Sequence, residues 1–187
     1  MSLDLIAQLQ SRGALLEGHF KLSSGRHSNR FIQKFRILED PAIVEPLARE
    51  IAAAFANEKP TIVVSAAVGG IVLGYEVARA LGTKSIFVEK EQGTPRLRRS
   101  FRLEPSDRAL VVEDVVTTGG SVREVLDVVR SSGAAVVGVG LIVARGPAEF
   151  GVKTFGLLEL PIESYDPQDC PQCAAGQALT DPGSRRA

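Results

Sequence analysis

The sequence predicts an α/β domain built on a mainly parallel sheet with helices covering both faces. Three observations carry that expectation. Short apolar runs at 61–65, 84–89, 109–113 and 136–143 are separated by helical segments at 69–81 and 121–131 and, in one case, by a charged stretch. The runs at 109–113 and 136–143 begin as unbroken apolar segments instead of alternating, as strands buried on both faces require. A chain of 187 residues, 44% hydrophobic and 24% charged, can bury a full core without staples. Strand and helix recurring at this spacing form crossover units, which place helices on both sides of a sheet.

Each element follows in order. Leu5, Ile6 and Leu9 fall near the helical period, and Leu15 and Leu16 continue it beyond Gly13, so a helix is expected across residues 3–16. The polar stretch 22–30 reads as an ordered loop before a short strand at 31–33. Ile43, Leu47, Ile51, Ala54 and Phe55 mark an amphipathic helix at 41–57. A strand at 61–65 precedes a helix at 69–81 stopped by Gly82, then a second strand at 84–89. Residues 90–104 are charged, hold Gly93 and Pro95, and lack any amphipathic period. A third strand at 109–113, a helix at 121–131 ended by Gly133 and a fourth strand at 136–143 complete the pattern. The tail after Tyr165 contains Pro167, Pro171, Pro182 and Gly183, and is expected to be irregular and to fray beyond Gly176.

Composition excludes several classes of function. Twenty-two basic and 22 acidic residues cancel, so no global field draws in nucleic acid or an anionic membrane, and neither partner is expected. No apolar run approaches the roughly 20 residues that span a bilayer. The N-terminus lacks the charged and apolar regions of a leader peptide. Two cysteines make no disulfide framework, and a reducing cytoplasm is the expected setting.

The chemistry concentrates where the third strand ends. Glu113 and Asp114 follow an apolar run and precede Val115, Val116, Thr117, Thr118, Gly119, Gly120 and Ser121. Ligands of open parallel sheets bind outside the carboxyl ends of the strands. A turn of small and hydroxyl residues opening a helix can wrap a phosphate with N–H groups, hydroxyls and the helix N-terminus. The two carboxylates repel that phosphate, and match sugar hydroxyls or a divalent cation instead. Phosphate at one end and a diol at the other describe a ribose 5-phosphate. The plainer alternative is a strand-to-helix turn capped by Ser121. Neither a Gly-Lys-Ser/Thr phosphate loop nor a Gly-x-Gly-x-x-Gly turn is present.

An apolar strand, two acids and a hydroxyl/glycine turn resemble the phosphoribosyl-pyrophosphate motif of the type I phosphoribosyltransferases. Further segments resemble the orotate phosphoribosyltransferases within that family. These are Phe20-Lys21-Leu22-Ser23-Ser24-Gly25-Arg26-His27-Ser28, Ala66-Ala67-Val68-Gly69-Gly70-Ile71, Phe87-Val88-Glu89-Lys90-Glu91 and Val143-Ala144-Arg145. The likeness runs in one register from about residue 5 to residue 160. It implies a single domain over 1–187 with the type I phosphoribosyltransferase fold, an N-terminal hood at 1–40, a mobile lid at 90–104 and an irregular tail at 166–187.

The resemblance also implies an activity: transfer of a phosphoribosyl group from 5-phosphoribosyl 1-diphosphate (PRPP) to orotate. Thr117, Thr118, Gly119, Gly120 and Ser121, with Val115 and Val116, would hold the 5-phosphate, and Glu113 and Asp114 the ribose hydroxyls. Ala66, Ala67, Val68, Gly69 and Gly70 would offer backbone N–H groups to pyrophosphate, although the same residues also suit close helix-to-strand packing. Asp114, Lys90, Arg96, Arg98 and Arg99 are the expected catalytic residues, and the lysine and three arginines ride on a lid, with Gly93 as a hinge, that serves the neighbouring subunit of a homodimer. Arg145, Thr117, Ser24, Gly25, Phe31 and Ile32 would take orotate, Arg145 through its carboxylate. A structural ion pair is the other reading of Arg145. Magnesium would ride mainly on PRPP, with no direct protein ligand and Asp114 reached through water.

Two departures from the family stand out. Ser23 replaces a lysine common at that position, with Lys21 on the same face of an extended segment. The lid is short, and Pro95-Arg96-Leu97-Arg98-Arg99 replaces a Lys-x-His pair. A purine phosphoribosyltransferase and a non-catalytic PRPP-sensing regulator remain as alternatives. Cys170-Pro171-Gln172-Cys173 has metal-ligand spacing but supplies two of the four ligands that zinc takes. A second pair exists only in a second copy of the chain, and a reduced tail turn is the simpler expectation. His19 and His27 are far away in sequence and are expected at the surface or in loops.

Overall fold

A computed structural model describes residues 5–22 and 24–182 of the chain. Contacts divide it into two compact units, Met1–Ile37 with Pro161–Ala187, and Leu38–Leu160.

The first unit opens with helix α1 (Leu5–Ser11), then strands β1 (Leu15–Lys21) and β2 (His27–Ile32) in an antiparallel hairpin. The helix is shorter than its apolar spacing implies. Ala14 donates back to the Leu9 carbonyl at 2.8 Å, closing the helix around Gly13. Leu15 and Leu16 then pair with Ile32 and Phe31 as strand residues. The strand expected at 31–33 begins at His27, because the hairpin register extends to the Lys21–His27 pair. The departure at Ser23 lies outside the described residues.

The second unit follows the predicted alternation closely. After the short helix α2 (Phe35–Leu38) comes α3 (Pro41–Phe55), whose N-cap Asp40 accepts from the Ala42 amide at 3.0 Å, with Pro41 in the first turn. Strand β3 (Ile62–Ala66) leads into α4 (Gly69–Leu81), which ends at Gly82 as expected. Strands β4 (Lys84–Glu91) and β5 (Thr94–Leu97) follow, then β6 (Arg108–Val116), α5 (Gly120–Ser131), β7 (Ala135–Ala144) and β8 (Thr154–Glu159). The sheet order is β5-β4-β3-β6-β7-β8, and every neighbouring pair is parallel except β4–β5.

Two strands escaped the sequence pattern. The segment read as aperiodic folds back as the β4–β5 hairpin, in which Glu89 faces Arg96 and Glu91 faces Thr94. Gln92 and Gly93 form its two-residue turn with φ of 50° and 83°, the positive pair that a type I′ connection needs. Gly93 therefore sits at the hairpin tip and is not a hinge at the base of a lid. Strand β8 is a half-buried edge whose Thr-Phe-Gly-Leu-Leu-Glu sequence has no clean alternation.

Up to residue 182 the tail packs back onto the hairpin of the first unit. Tyr165 and His27 exchange backbone hydrogen bonds of 2.9 and 2.8 Å. A short helix, α6 (Pro171–Ala174), follows, and Thr180 then donates to the His19 carbonyl at 2.8 Å and accepts from Lys21 at 2.9 Å. Among the described residues no helix is long and apolar enough to cross a membrane.

Close approach of α3 to β7 sets the core of the second unit. A Cβ on Gly138 would lie 2.3 Å from Phe55 Cε1 and 2.8 Å from the Lys153 carbonyl, and one on Gly140 would lie 2.5 Å from Ile51 Cγ2. Phe55 and Ile51 are fully buried there, and each such side chain contributes about 1.5–3 kcal/mol relative to exposure. Gly138→Ala is therefore expected to destabilise the fold by about 1–3 kcal/mol through overpacking, measured as a lower urea midpoint with an unchanged slope. An unchanged midpoint would show that α3 does not rest on the strand as described.

Candidate active site

Parallel pairing brings the carboxyl ends of β3, β4, β6, β7 and β8 to one edge of the sheet. The chain enters at β3, crosses to β4 on one side, then returns to β6 on the other side of β3. The direction of winding reverses between β3 and β6, and the crevice outside such a reversal is where open α/β sheets bind ligands.

A cleft of about 230 Å³ lies at the end of β6, lined by Lys90, Glu113, Glu124 and residues 115–122. Thr117, Thr118, Gly120 and Ser121 are exposed in it. Gly119, at φ 77°, is the N-cap of α5, not Ser121, which already lies inside the helix. The left-handed conformation turns the chain so that the first α5 amides face the strand end. The first turn of α5 holds no acidic residue to satisfy those amides, leaving the positive end of the helix dipole for an anion. Arg123 and Phe150 hold the turn from behind: Arg123 Nη1 donates to the Thr118 carbonyl at 2.5 Å, and its guanidinium lies 5.4 Å from the Phe150 ring centre. A side chain on Gly119 would meet Phe150 at 2.7 Å.

The two acids do not share a face. Both lie within β6, where successive side chains point to opposite sides. Glu113 lines the cleft, and its Oε1 accepts from the Asp114 amide at 3.0 Å. Asp114 is 1% exposed, is not among the cleft-lining residues, and its Oδ1 accepts from the Val115 amide at 2.6 Å.

Other expected residues fall into place unevenly. Residues 66–70 lie at the same sheet edge but do not line the cleft. The Ala67 amide donates to the Val88 carbonyl at 2.9 Å, and Gly69 and Gly70 are buried. A Cβ on Gly70 would stand 3.1 Å from Glu113 Oε1 and 3.2 Å from Ser65 Cβ, which makes close packing part of its role. Lys90 reaches the cleft and pairs with Glu124 at 2.8 Å. Arg99 pairs with Glu89 through two bonds of 2.9 and 3.1 Å, holding the Glu89 carboxyl below its usual range, and Arg98 lies 3.4 Å from Glu91. Arg96 makes no ion pair among the described residues.

Arg145 directly follows β7, and its amide donates to the Val116 carbonyl at 2.8 Å, which sets it beside the Thr117 turn. The guanidinium is half-buried, its Nε has no acceptor, and burial pushes its pKa down from the ordinary value. It forms no ion pair among the described residues, which removes the structural-pair reading. Ser24 and Gly25 sit in the β1–β2 turn and Phe31 and Ile32 on β2, all in the first unit. Sequence reasoning missed Glu124, Arg123 and Phe150, which no local motif marks. It also misplaced His19 and His27. Both lie on strands and are buried, 4% and 6% exposed, because the hairpin turns them inward.

A hydroxyl-rich helix start, a carboxylate and a lysine at the reversal point of an open parallel sheet define a class: α/β proteins that hold a phosphorylated sugar. Comparison with known proteins sharpens this. Residues 36–155 match the phosphoribosyl transferase domain. The chain is 50% identical over 185 residues to an orotate phosphoribosyltransferase of Pelotomaculum thermopropionicum, covering 98% of this chain and 97% of the relative. It is 49% identical over 185 residues to one of Desulforamulus reducens, with the same coverage. The crystal structure of orotate phosphoribosyltransferase from Aeropyrum pernix superposes with a TM-score of 0.70 at 29% identity, covering 83% of this chain and 93% of that one. The chain belongs to the phosphoribosyltransferase family, in its orotate phosphoribosyltransferase branch.

Gly119→Ala is expected to cost about 1–3 kcal/mol, from a positive φ and the contact with Phe150, and to weaken inorganic phosphate binding. Thermal unfolding and a phosphate titration would check this, and unchanged phosphate affinity would remove the turn from the anion site.

Proposed function

We infer that the chain transfers the phosphoribosyl group of PRPP to orotate, releasing pyrophosphate and forming orotidine 5′-phosphate, a step of de novo UMP biosynthesis. One observation carries the reading: Arg145, whose guanidinium forms no ion pair among the described residues, is tied by its backbone amide to Val116, directly before the phosphate-type turn. A planar fork of donors in a half-buried setting suits a carboxylate on a flat ring. The adjoining turn suits the 5-phosphate that the product must carry.

The reaction breaks the bond from the anomeric carbon to pyrophosphate and forms one to a ring nitrogen, with inversion. Positive charge builds on the ribosyl group and negative charge on the departing diphosphate. The α5 amides and the hydroxyls of Thr117, Thr118 and Ser121 hold the 5-phosphate, and Glu113 orients the ribose hydroxyls from the cleft wall. Asp114 supports this through the backbone it hydrogen-bonds. Lys90 is placed to meet the pyrophosphate, and Arg96, Arg98 and Arg99 bring cations on the hairpin. The Lys90–Glu124 and Arg98–Glu91 pairs are largely exposed, where such pairs are worth about 0–1 kcal/mol, so exchange of those cations for diphosphate is cheap. Arg99 and Ser100, with φ of 58° and 62°, mark the hairpin base as the place where it would swing. The all-oxygen donor set of the cleft fits magnesium, which would ride on PRPP oxygens with a carboxylate reached through water and neutralise charge on the leaving group. A homodimer that shares the hairpin across subunits, and a cytoplasmic setting, complete the proposal.

The decisive measurement is loss of orotate absorbance with PRPP and magnesium. Turnover of adenine or guanine in place of orotate would overturn the base assignment, and donor binding with no base consumed would make the chain a sensor. Arg145→Ala is expected to raise KM for orotate at least about tenfold, as loss of a charged hydrogen bond of about 1.5–3 kcal/mol implies, while KM for PRPP stays unchanged. Equal changes in both constants would deny Arg145 its role in base selection. Glu113→Gln is expected to lower kcat/KM for PRPP more than Asp114→Asn does, and neither should unfold the domain. A large drop in melting temperature for Asp114→Asn would make that residue structural.

A further inference from the structure

The first unit gathers four metal-ligating side chains that the transfer reaction does not use. His19 on β1, His27 on β2, and Cys170 and Cys173 flanking the start of α6 place their ligand atoms within 4.8 Å of one another. His19 Nε2 lies 3.1 Å from His27 Nδ1, 3.5 Å from Cys170 Sγ and 3.6 Å from Cys173 Sγ, and Cys173 Sγ lies 3.2 Å from His27 Nδ1. Zinc bonds of about 2.0–2.1 Å to nitrogen and 2.3 Å to sulfur put tetrahedral ligands about 3.3–3.8 Å apart. These four separations, 3.1–3.6 Å, lie near that spacing, and all six pairs of ligand atoms fall within 4.8 Å.

Tautomer chemistry separates a metal site from a hydrogen-bonded cluster. His19 Nδ1 lies 2.9 Å from the Gln177 carbonyl, which only accepts, so this nitrogen carries the proton. Nε2 then presents a lone pair to the centre, with an outer carbonyl fixing the ring as metal-bound imidazoles are fixed. Three neighbours crowd that single lone pair, and it can accept from only one of them. One cation at the centre engages all four groups together. Two thiolates and two neutral imidazoles around a divalent ion sum to zero charge, which suits a site where His19, His27 and Cys170 are buried. Sulfur and imidazole donors choose zinc over magnesium or calcium. Exposed Cys173 leaves an entry path.

We propose that His19, His27, Cys170 and Cys173 form a structural zinc site that staples the tail to the β1–β2 hairpin. The backbone prepares it: Tyr165 pairs with His27 and Thr180 bonds His19, so the tail is clamped on both sides of the Cys-x-x-Cys turn. Binding displaces one proton from each thiol and needs no redox partner. With four protein ligands the ion has no open position and no catalytic part. It stiffens the hairpin, whose turn carries Ser24 and Gly25.

The test uses the full chain, reduced, loaded with zinc sulfate and desalted. About one zinc per chain by elemental analysis is expected, with both thiols shielded from a disulfide reagent until a chelator is added. Cobalt substitution should give the intense visible bands of a tetrahedral thiolate site. The Cys170→Ser/Cys173→Ser double variant should retain no zinc. If it does not fold, titrating the wild-type chain with a mercurial should release zinc at about two thiols per ion. Zinc lost on desalting, thiols reacting equally with and without zinc, or equal zinc in the double variant would each overturn the proposal.

Discussion

Parallel pairing of β3 with β6, in the register that sets Ile62 against Ala109 and Ser65 against Val112, is the constraint on which the catalytic unit depends. It joins two stretches more than 40 residues apart and aligns their carboxyl ends. The turn after β6 thereby opens at the reversal point of the sheet. Every feature of the cleft follows. The amides of α5 point outward because β6 stops at Val116, and Arg145 stands beside them because β7 is parallel to β6 and ends at the same level.

Rigidity and adaptability are divided within that unit. The far side of the sheet is locked by α3 pressed against Gly138 and Gly140, where no methyl group would fit. The hairpin of β4 and β5 carries the exposed Arg98–Glu91 pair, which water and ions weaken, beside the Arg99–Glu89 pair, whose arginine is exposed. Binding groups mounted on the rigid part keep their geometry. Cations mounted on the hairpin trade one set of oxygens for another at little cost.

The first unit solves a different problem. Its apolar core is small, with Leu9, Ala14, Leu15 and Phe20 among the buried residues, and small cores often need a staple. Polar groups fill part of its interior instead. Buried imidazoles facing thiols are costly unless their lone pairs find a common partner, and a soft divalent cation provides one.

Local order was legible in the sequence wherever one periodicity dominated. Helix α4 was readable to the residue from apolar spacing and Gly82, and the buried runs of β3, β6 and β7 from their short, mainly apolar stretches. The phosphate turn was readable because its chemistry is contiguous, from Glu113 to Ser121. Strand β5 was not, since Thr-Pro-Arg-Leu has no apolar stripe and pairs only because a positive-φ turn folds it onto β4. Separation of Glu113 from Asp114 was implicit in strand alternation, but which of them meets the cleft depends on the face that α4 and α5 leave open. The meeting of His19 and His27 with cysteines about 150 residues away was beyond any local pattern. The sequence by itself determined the elements and the phosphate turn, because both arise from interactions between near neighbours. Only the tertiary structure decided which carboxylate faces the cleft, that Arg145 is half-buried beside the phosphate turn and which side chains meet at the tail, because those depend on strand order and on where distant segments close.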